Sequence, residues 1–187
     1  GLVAAVRGPG PDVVQEACRE ASSVGVVKPA NFNAPGQIVI AGEKAAVERA
    51  MHLLKTKGGH KVIPLPVSVP VHTPLMQSAA DRLADDIDAT NGQDLAVPLI
   101  NNAEATALRT WPEVKGSLVR QLPASVLWED SIRAMSGLGV RTFIEIGPGT
   151  VLSGLIRRII PGSVTLSVND PQSLDATLKT LSVKREA

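Results

Sequence analysis

The sequence predicts an α/β protein in two parts, a ferredoxin-like small subdomain over residues 1–66 and a parallel-sheet domain over residues 67–187. Two observations carry this expectation. Up to Leu65 the hydrophobic period switches in the order strand, helix, strand, strand, helix, strand, which is the ferredoxin-like order. Beyond Leu65, apolar strands are separated by helical patterns, the arrangement that lays helices on both faces of a parallel sheet. A third observation bounds the core: 44% of residues are hydrophobic but only 2% aromatic, with no tyrosine, so packing falls to Val, Leu, Ile and Ala.

Taken in order, Leu2–Val6 reads as a strand and Gly8-Pro9-Gly10 as a turn. A helix follows over Pro11–Ala21, with proline at its first position and Val13, Val14, Ala17 and Cys18 facing inward. Strands Val24–Ala30 and Gln37–Ala41 flank a loop, Asn31–Gly36, whose Asn, Pro and Gly content is turn chemistry. The second helix, Glu43–Lys57, stops at Gly58-Gly59, and strand Lys61–Leu65 completes the set. In the second part, Thr73 is placed to cap a helix with Pro74 at its first position and Leu75, Ala79, Leu83 and Ile87 on one buried face. Strand Val97–Asn101, helices around Lys115–Leu122 and Trp128–Gly137, and strand Arg141–Ile146 come next. The turn Gly147-Pro148-Gly149, a helix to Ile160, strand Ser163–Val168 and helix Pro171–Leu181 follow, leaving a frayed tail over Ser182–Ala187. Three strands make a thin parallel sheet, so some are expected to pair with strands from outside this sequence.

Charge and cysteine content exclude several classes. A net charge of +1 offers no broad attraction to nucleic acid or to an anionic membrane, and no stretch approaches the roughly 18 apolar residues of a membrane span. Cys18 stands alone, which rules out an internal disulfide and fits a reducing, cytoplasmic setting; its apolar helical position reads as packing rather than as a nucleophile. No metal is expected, because Asp86-x-Asp88-x-Thr90-Asn91-Gly92 lacks the glycine and glutamate placement of a calcium loop and His52 and His60 lack ligand spacing. Gly1 opens directly on a strand without a charged, cleavable leader, so the chain is expected to continue a longer one.

The segment richest in chemistry is Pro66–Met76, where an extended apolar run delivers His72 to the start of a helix, a place where a general base would sit. A hydrogen-bonded structural histidine would satisfy the same pattern. Around it, Ser68-Val-Pro-Val-His72-Thr-Pro-Leu-Met76 resembles the catalytic-histidine segment of the malonyl-CoA:acyl carrier protein transacylases. Three further stretches resemble that family in the same order. These are Asn31-Phe-Asn-Ala-Pro-Gly-Gln37 with Ile38–Gly42, Leu118–Leu122 with Trp128, and Glu145-Ile-Gly-Pro-Gly-Thr-Val-Leu-Ser-Gly-Leu155.

The resemblance implies a fold and a reaction. The second part becomes the C-terminal portion of an α/β-hydrolase-like domain. The reaction becomes malonyl transfer from coenzyme A to the phosphopantetheine thiol of acyl carrier protein in fatty acid biosynthesis, through a serine acyl-enzyme. His72 is implied as the base and the backbone carbonyl of Gln121 as the group that orients it. Asn31 and Asn33 are implied as channel residues, since an amide side chain both donates and accepts, although turn-making accounts for Asn33 equally well. The family's Gly-x-Ser-x-Gly elbow is not in this sequence: Ser136 and Ser153 lack a glycine two residues before them. Nor are its Gly-Gln-Gly segment and its carboxylate-binding arginine present. The implied partners are malonyl-CoA and acyl carrier protein, with no cofactor beyond the coenzyme A thioester as substrate, no nucleic acid, no membrane, and a monomer when complete. Lys55, Lys57, His60 and Lys61 form one basic cluster and Arg157-Arg158 another; either could steer an acidic carrier, or simply be a solvated face. A polyketide-pathway acyltransferase and a non-catalytic carrier-binding remnant stay open as alternatives.

Overall fold

The computed structural model describes residues 1–183, and the chain divides into two compact units, Gly1–Ser131 and Ile132–Ala187. In the first unit, β1 (Leu2–Arg7), β2 (Val27–Ala34), β3 (Gln37–Gly42) and β4 (Lys61–Leu65) form one antiparallel sheet in the order β2-β3-β1-β4. With α1 (Pro11–Ala21) and α2 (Lys44–Gly58) between them, the ferredoxin-like order expected from the sequence is complete. Alternate residues of the strands meet the two helices: Ala4, Val6, Ile38, Ile40 and Val62 pack with Val14, Cys18, Val47, Met51 and Leu54. Val3, Ala30, Val39 and Ala41 form a smaller cluster on the other face.

Several boundaries differ from expectation, each for a physical reason. Ser22–Val24 extends α1 as a 3₁₀ turn, so β2 starts only at Val27, after Gly25 breaks the helical run at φ 145. At its other end β2 continues to Ala34, because Asn31 and Phe32 pair with Val39 and Ile38 and override their turn propensity. Only Pro35-Gly36 remains as the connection, with Gly36 at φ 67. Val13 is 48% exposed rather than inward, since the buried stripe of α1 runs through Val14, Ala17, Cys18 and Ala21. Gly59, at φ 61, stops α2, with its N–H donating to Lys55 O at 3.0 Å and that of His60 to Leu54 O at 3.2 Å.

After β4 the chain enters a 3₁₀ turn, Pro74–Met76, and then α3 (Gln77–Asp88). Thr73 is the N-cap residue of that turn and Pro74 its first, as expected, but the Thr73 hydroxyl makes no cap bond and donates to Pro70 O at 2.7 Å. The later helix start shifts the buried face, so Ala80 and Ile87 are buried while Leu75 is 40% exposed. The expected strand Val97–Asn101 shrinks to β5 (Leu99–Ile100), which pairs antiparallel with an unexpected β6 (Ala107–Leu108) instead of joining a parallel sheet. α4 (Trp111–Arg120) begins four residues before the expected Lys115, because Glu113 accepts the N–H groups of Arg109 at 3.0 Å and Thr110 at 2.9 Å. α5 (Trp128–Gly137) leads into the second unit.

In that unit β7 (Thr142–Ile146) and β8 (Val164–Val168) pair in parallel, as expected, with α6 (Val151–Ile159) as the crossover. α7 (Pro171–Val183) follows β8, so Ser182 and Val183 continue a helix; the rest of the expected tail lies outside the described residues. No helix among the described residues is long and apolar enough to cross a membrane.

Candidate active site

His72 sits half-buried at φ 60, a left-handed conformation uncommon for a residue with a side chain. Its backbone N–H donates to Leu122 O at 3.1 Å. Its ring nitrogen Nδ1 lies 3.0 Å from Gln121 O and 3.1 Å from Ala124 O. Both partners are carbonyl oxygens, which only accept, so Nδ1 carries the proton and shares it between them. That choice of tautomer leaves the lone pair on Nε2, the arrangement a general base requires.

The carbonyls are available because of how α4 ends. A helix leaves its last carbonyls without intrahelical partners, and Pro123 prevents the helix from continuing past Gln121. Gln121 O is therefore turned to His72 rather than to a fourth residue onward. It also brings the negative end of α4 to the imidazole, which favours a positive charge appearing there. This differs from the simplest sequence reading, in which His72 adjoins only the start of the helix that follows it.

Residues 122–127 are then strapped to the open edge of the small sheet. Val126 N–H donates to Ala30 O at 2.8 Å and Phe32 N–H to Val126 O at 2.9 Å, so that Asn31 and Val126 form a parallel bridge. Ser125 Oγ–H donates to Pro29 O at 2.7 Å. On its other side Leu127 N–H donates to Asn102 O at 2.8 Å, and the Asn102 amide donates to Gln121 Oε1 at 3.2 Å. Behind these, Asn101 is 4% exposed and bonds Ser117 Oγ at 2.9 Å, while Ser131 is 1% exposed and donates to Leu127 O at 2.8 Å.

The structure thus brings His72 and Gln121 together and ties Asn31 to the same strap through its backbone. Asn31 stands opposite Val39, on the sheet face away from α1 and α2, and Asn33 falls at the irregularity between Phe32 and Ala34. Among the described residues neither amide side chain has a hydrogen-bond partner, so both keep their donors and acceptors for something else. The second carbonyl on His72, that of Ala124, was not visible in the sequence. Its only signal is Pro123, which says that a helix ends and not what its last turn meets.

Other candidates settle into structural roles. Burial pushes the Cys18 thiol up to about 12, which leaves it unreactive. Ser153 is 2% exposed and its hydroxyl lies 3.1 Å from that of Ser167. Glu145 accepts from Leu152 N–H at 3.0 Å and Ser153 N–H at 2.8 Å, so the first turn of α6 already holds an anion and offers little to a phosphate. In the first basic cluster Lys57 is paired with Glu20, and in the second Arg157 donates to Thr165 Oγ1 at 2.7 Å.

No family model matches the chain. It is 41% identical over 179 residues to the malonyl CoA-acyl carrier protein transacylase of Escherichia coli K12, covering 96% of this chain and 58% of that protein. The crystal structure of MCAT from Streptococcus pneumoniae superposes with a TM-score of 0.92 at 42% identity, over 96% of this chain and 59% of the other. A malonyl-transacylase solved with AntF, a type II PKS acyl-carrier protein, gives a TM-score of 0.92 at 38% identity, over 96% and 58% of the two chains. By sequence and by fold, this chain is homologous to the malonyl-CoA:acyl carrier protein transacylases, and it spans somewhat more than half the length of the relatives it matches.

Proposed function

We propose that this chain carries the histidine base of a malonyl-CoA:acyl carrier protein transacylase, as the C-terminal portion of that enzyme. The observation that supports it is the clamp on His72: two carbonyl acceptors on Nδ1 hold the ring so that Nε2 is the proton acceptor. The nucleophile is a serine outside these 187 residues.

In this reading Nε2 takes the serine proton as the oxygen attacks the malonyl thioester, because a hydroxyl is a weak nucleophile at neutral pH. The tetrahedral intermediate collapses, the coenzyme A thiolate leaves, and the proton on Nε2 passes to it. The phosphopantetheine thiol of the carrier then gives its proton to Nε2 and attacks the malonyl ester; the second intermediate collapses to the carrier thioester, and the departing serine oxygen takes the proton back from Nε2. Imidazolium forms twice, and each time the Gln121 and Ala124 carbonyls face its Nδ1–H. Neutral carbonyls fix the tautomer as a carboxylate does in serine hydrolases, with less stabilisation of the cation. Asn31 and Asn33 would hydrogen-bond the amides of the pantetheine arm.

The same reading places the protein in fatty acid biosynthesis in the cytoplasm, as a monomer without a cofactor, and keeps a domain division at 66/67. Transfer to a polyketide carrier is the second reading, supported by the likeness to the transacylase solved with AntF. Intact-mass spectrometry of the complete protein with malonyl-CoA tests the proposal. An ester adduct that appears with malonyl-CoA and disappears on adding carrier is expected; no adduct would leave only a carrier-binding remnant.

A further inference from the structure

We propose that Ser125 is a positioning residue for His72, acting through the Ala124 carbonyl; the proposal rests on the reading of His72 as the base. Among the described residues Ala124 O is one of the two acceptors that meet His72 Nδ1, and Ser125 is the next residue along the chain. Its hydroxyl donates to Pro29 O at 2.7 Å, 96 residues earlier in sequence and on the edge strand β2. Proline has no N–H, so at this point the carbonyl is the one backbone group through which β2 can hold the strap. The backbone bridge at Val126 fastens the strap two residues from Ala124, and Ser125 fastens it one residue closer.

The geometry explains why a local bond matters there. The register between β2 and β3 shifts between Pro29 and Asn31, so the edge that receives the strap is locally irregular and a ladder alone does not fix its spacing. Without the Ser125 hydroxyl, residues 123–125 keep, among the described residues, the bond from His72 to Ala124 O and the backbone bonds at their two ends. A small drift of Ala124 O then frees Nδ1–H on one side and lets the ring turn, which misaims Nε2. Misplacements of this size act on the rate rather than on substrate binding.

The test uses the complete protein with Ser125→Ala and Ser125→Thr. Ser125→Ala should lower kcat for malonyl transfer about tenfold with KM for malonyl-CoA unchanged, and the His72 Nδ1–H proton, followed by NMR, should exchange with solvent faster. Ser125→Thr keeps the hydroxyl and should restore both. An unchanged kcat in Ser125→Ala, or a loss that Ser125→Thr does not restore, would overturn the proposal. Full activity of His72→Gln would instead sink the base assignment, and the exchange of Nδ1–H would still decide whether Ser125 holds the ring.

Discussion

A left-handed backbone at His72, φ 60, costs about 1 kcal/mol for any residue with a Cβ, and it persists because Leu122 O holds its N–H. The conformation turns the imidazole back toward the C-terminal end of α4, where an extended residue would send it elsewhere. Glycine adopts this φ freely. His72→Gly should therefore unfold in urea at higher stability than His72→Ala, by about 1 kcal/mol, although both lose the ring. Equal stabilities would mean that the backbone at this position is not strained. Ala124 contributes through its backbone oxygen alone, so its side chain is open to exchange where the carbonyl path is kept, whereas Gln121 also accepts from the Asn102 amide through Oε1.

Elements are positioned by groups at their ends. Glu145, at the end of β7, reaches over Gly147-Pro148-Gly149 to the first turn of α6. Burial raises its carboxyl, but the Ser153 hydroxyl and the N–H groups of Ser153 and Leu152, with Arg157 nearby, outweigh that and hold it below the ordinary value. A lowered folded-state value contributes stability that is present above the unfolded value of 4.5 and lost as pH falls through the folded one. Glu145→Gln should thus destabilise the protein more near pH 7 than near pH 3, as read from urea unfolding at both pH values. An equal loss at both would show that the carboxylate charge is not what caps α6. At this scale the sequence was legible where periodicity and local stop signals act, as in α1, α2, β3 and β4. It was misleading at Asn31-Phe-Asn33, where pairing with β3 overrode turn chemistry, and at Val97–Asn101, where β6 supplied an antiparallel partner. The start of α4 could have been read from Thr110-x-x-Glu113. The strap of residues 122–127 could not, because its bonds to Pro29, Ala30 and Phe32 join residues almost a hundred positions apart.

For the whole molecule, the small sheet does more than complete a subdomain: its edge strand β2 fixes the segment that fixes His72. Position along the chain concealed this, since the motif around His72 gives the residue and not its surroundings. In the second unit β7 and β8 make a two-stranded parallel sheet, with Ile146 82% exposed and Ile144 41% exposed. Such a pair is marginal alone, and in the proposed reading strands from the rest of the enzyme complete it. The chain covers 58% of its Escherichia coli relative, so in the proposed reading the reaction is one of the complete protein and is to be measured there. In the proposed reading His72 is the base. That role is tested most directly by the rate of malonyl transfer to acyl carrier protein catalysed by complete wild-type protein and by His72→Gln, with circular dichroism confirming that both are folded. A histidine base at this position predicts a fall of about a hundredfold or more in the variant, the usual contribution of a positioned base. A folded variant that transfers malonyl within about twofold of wild type would contradict it.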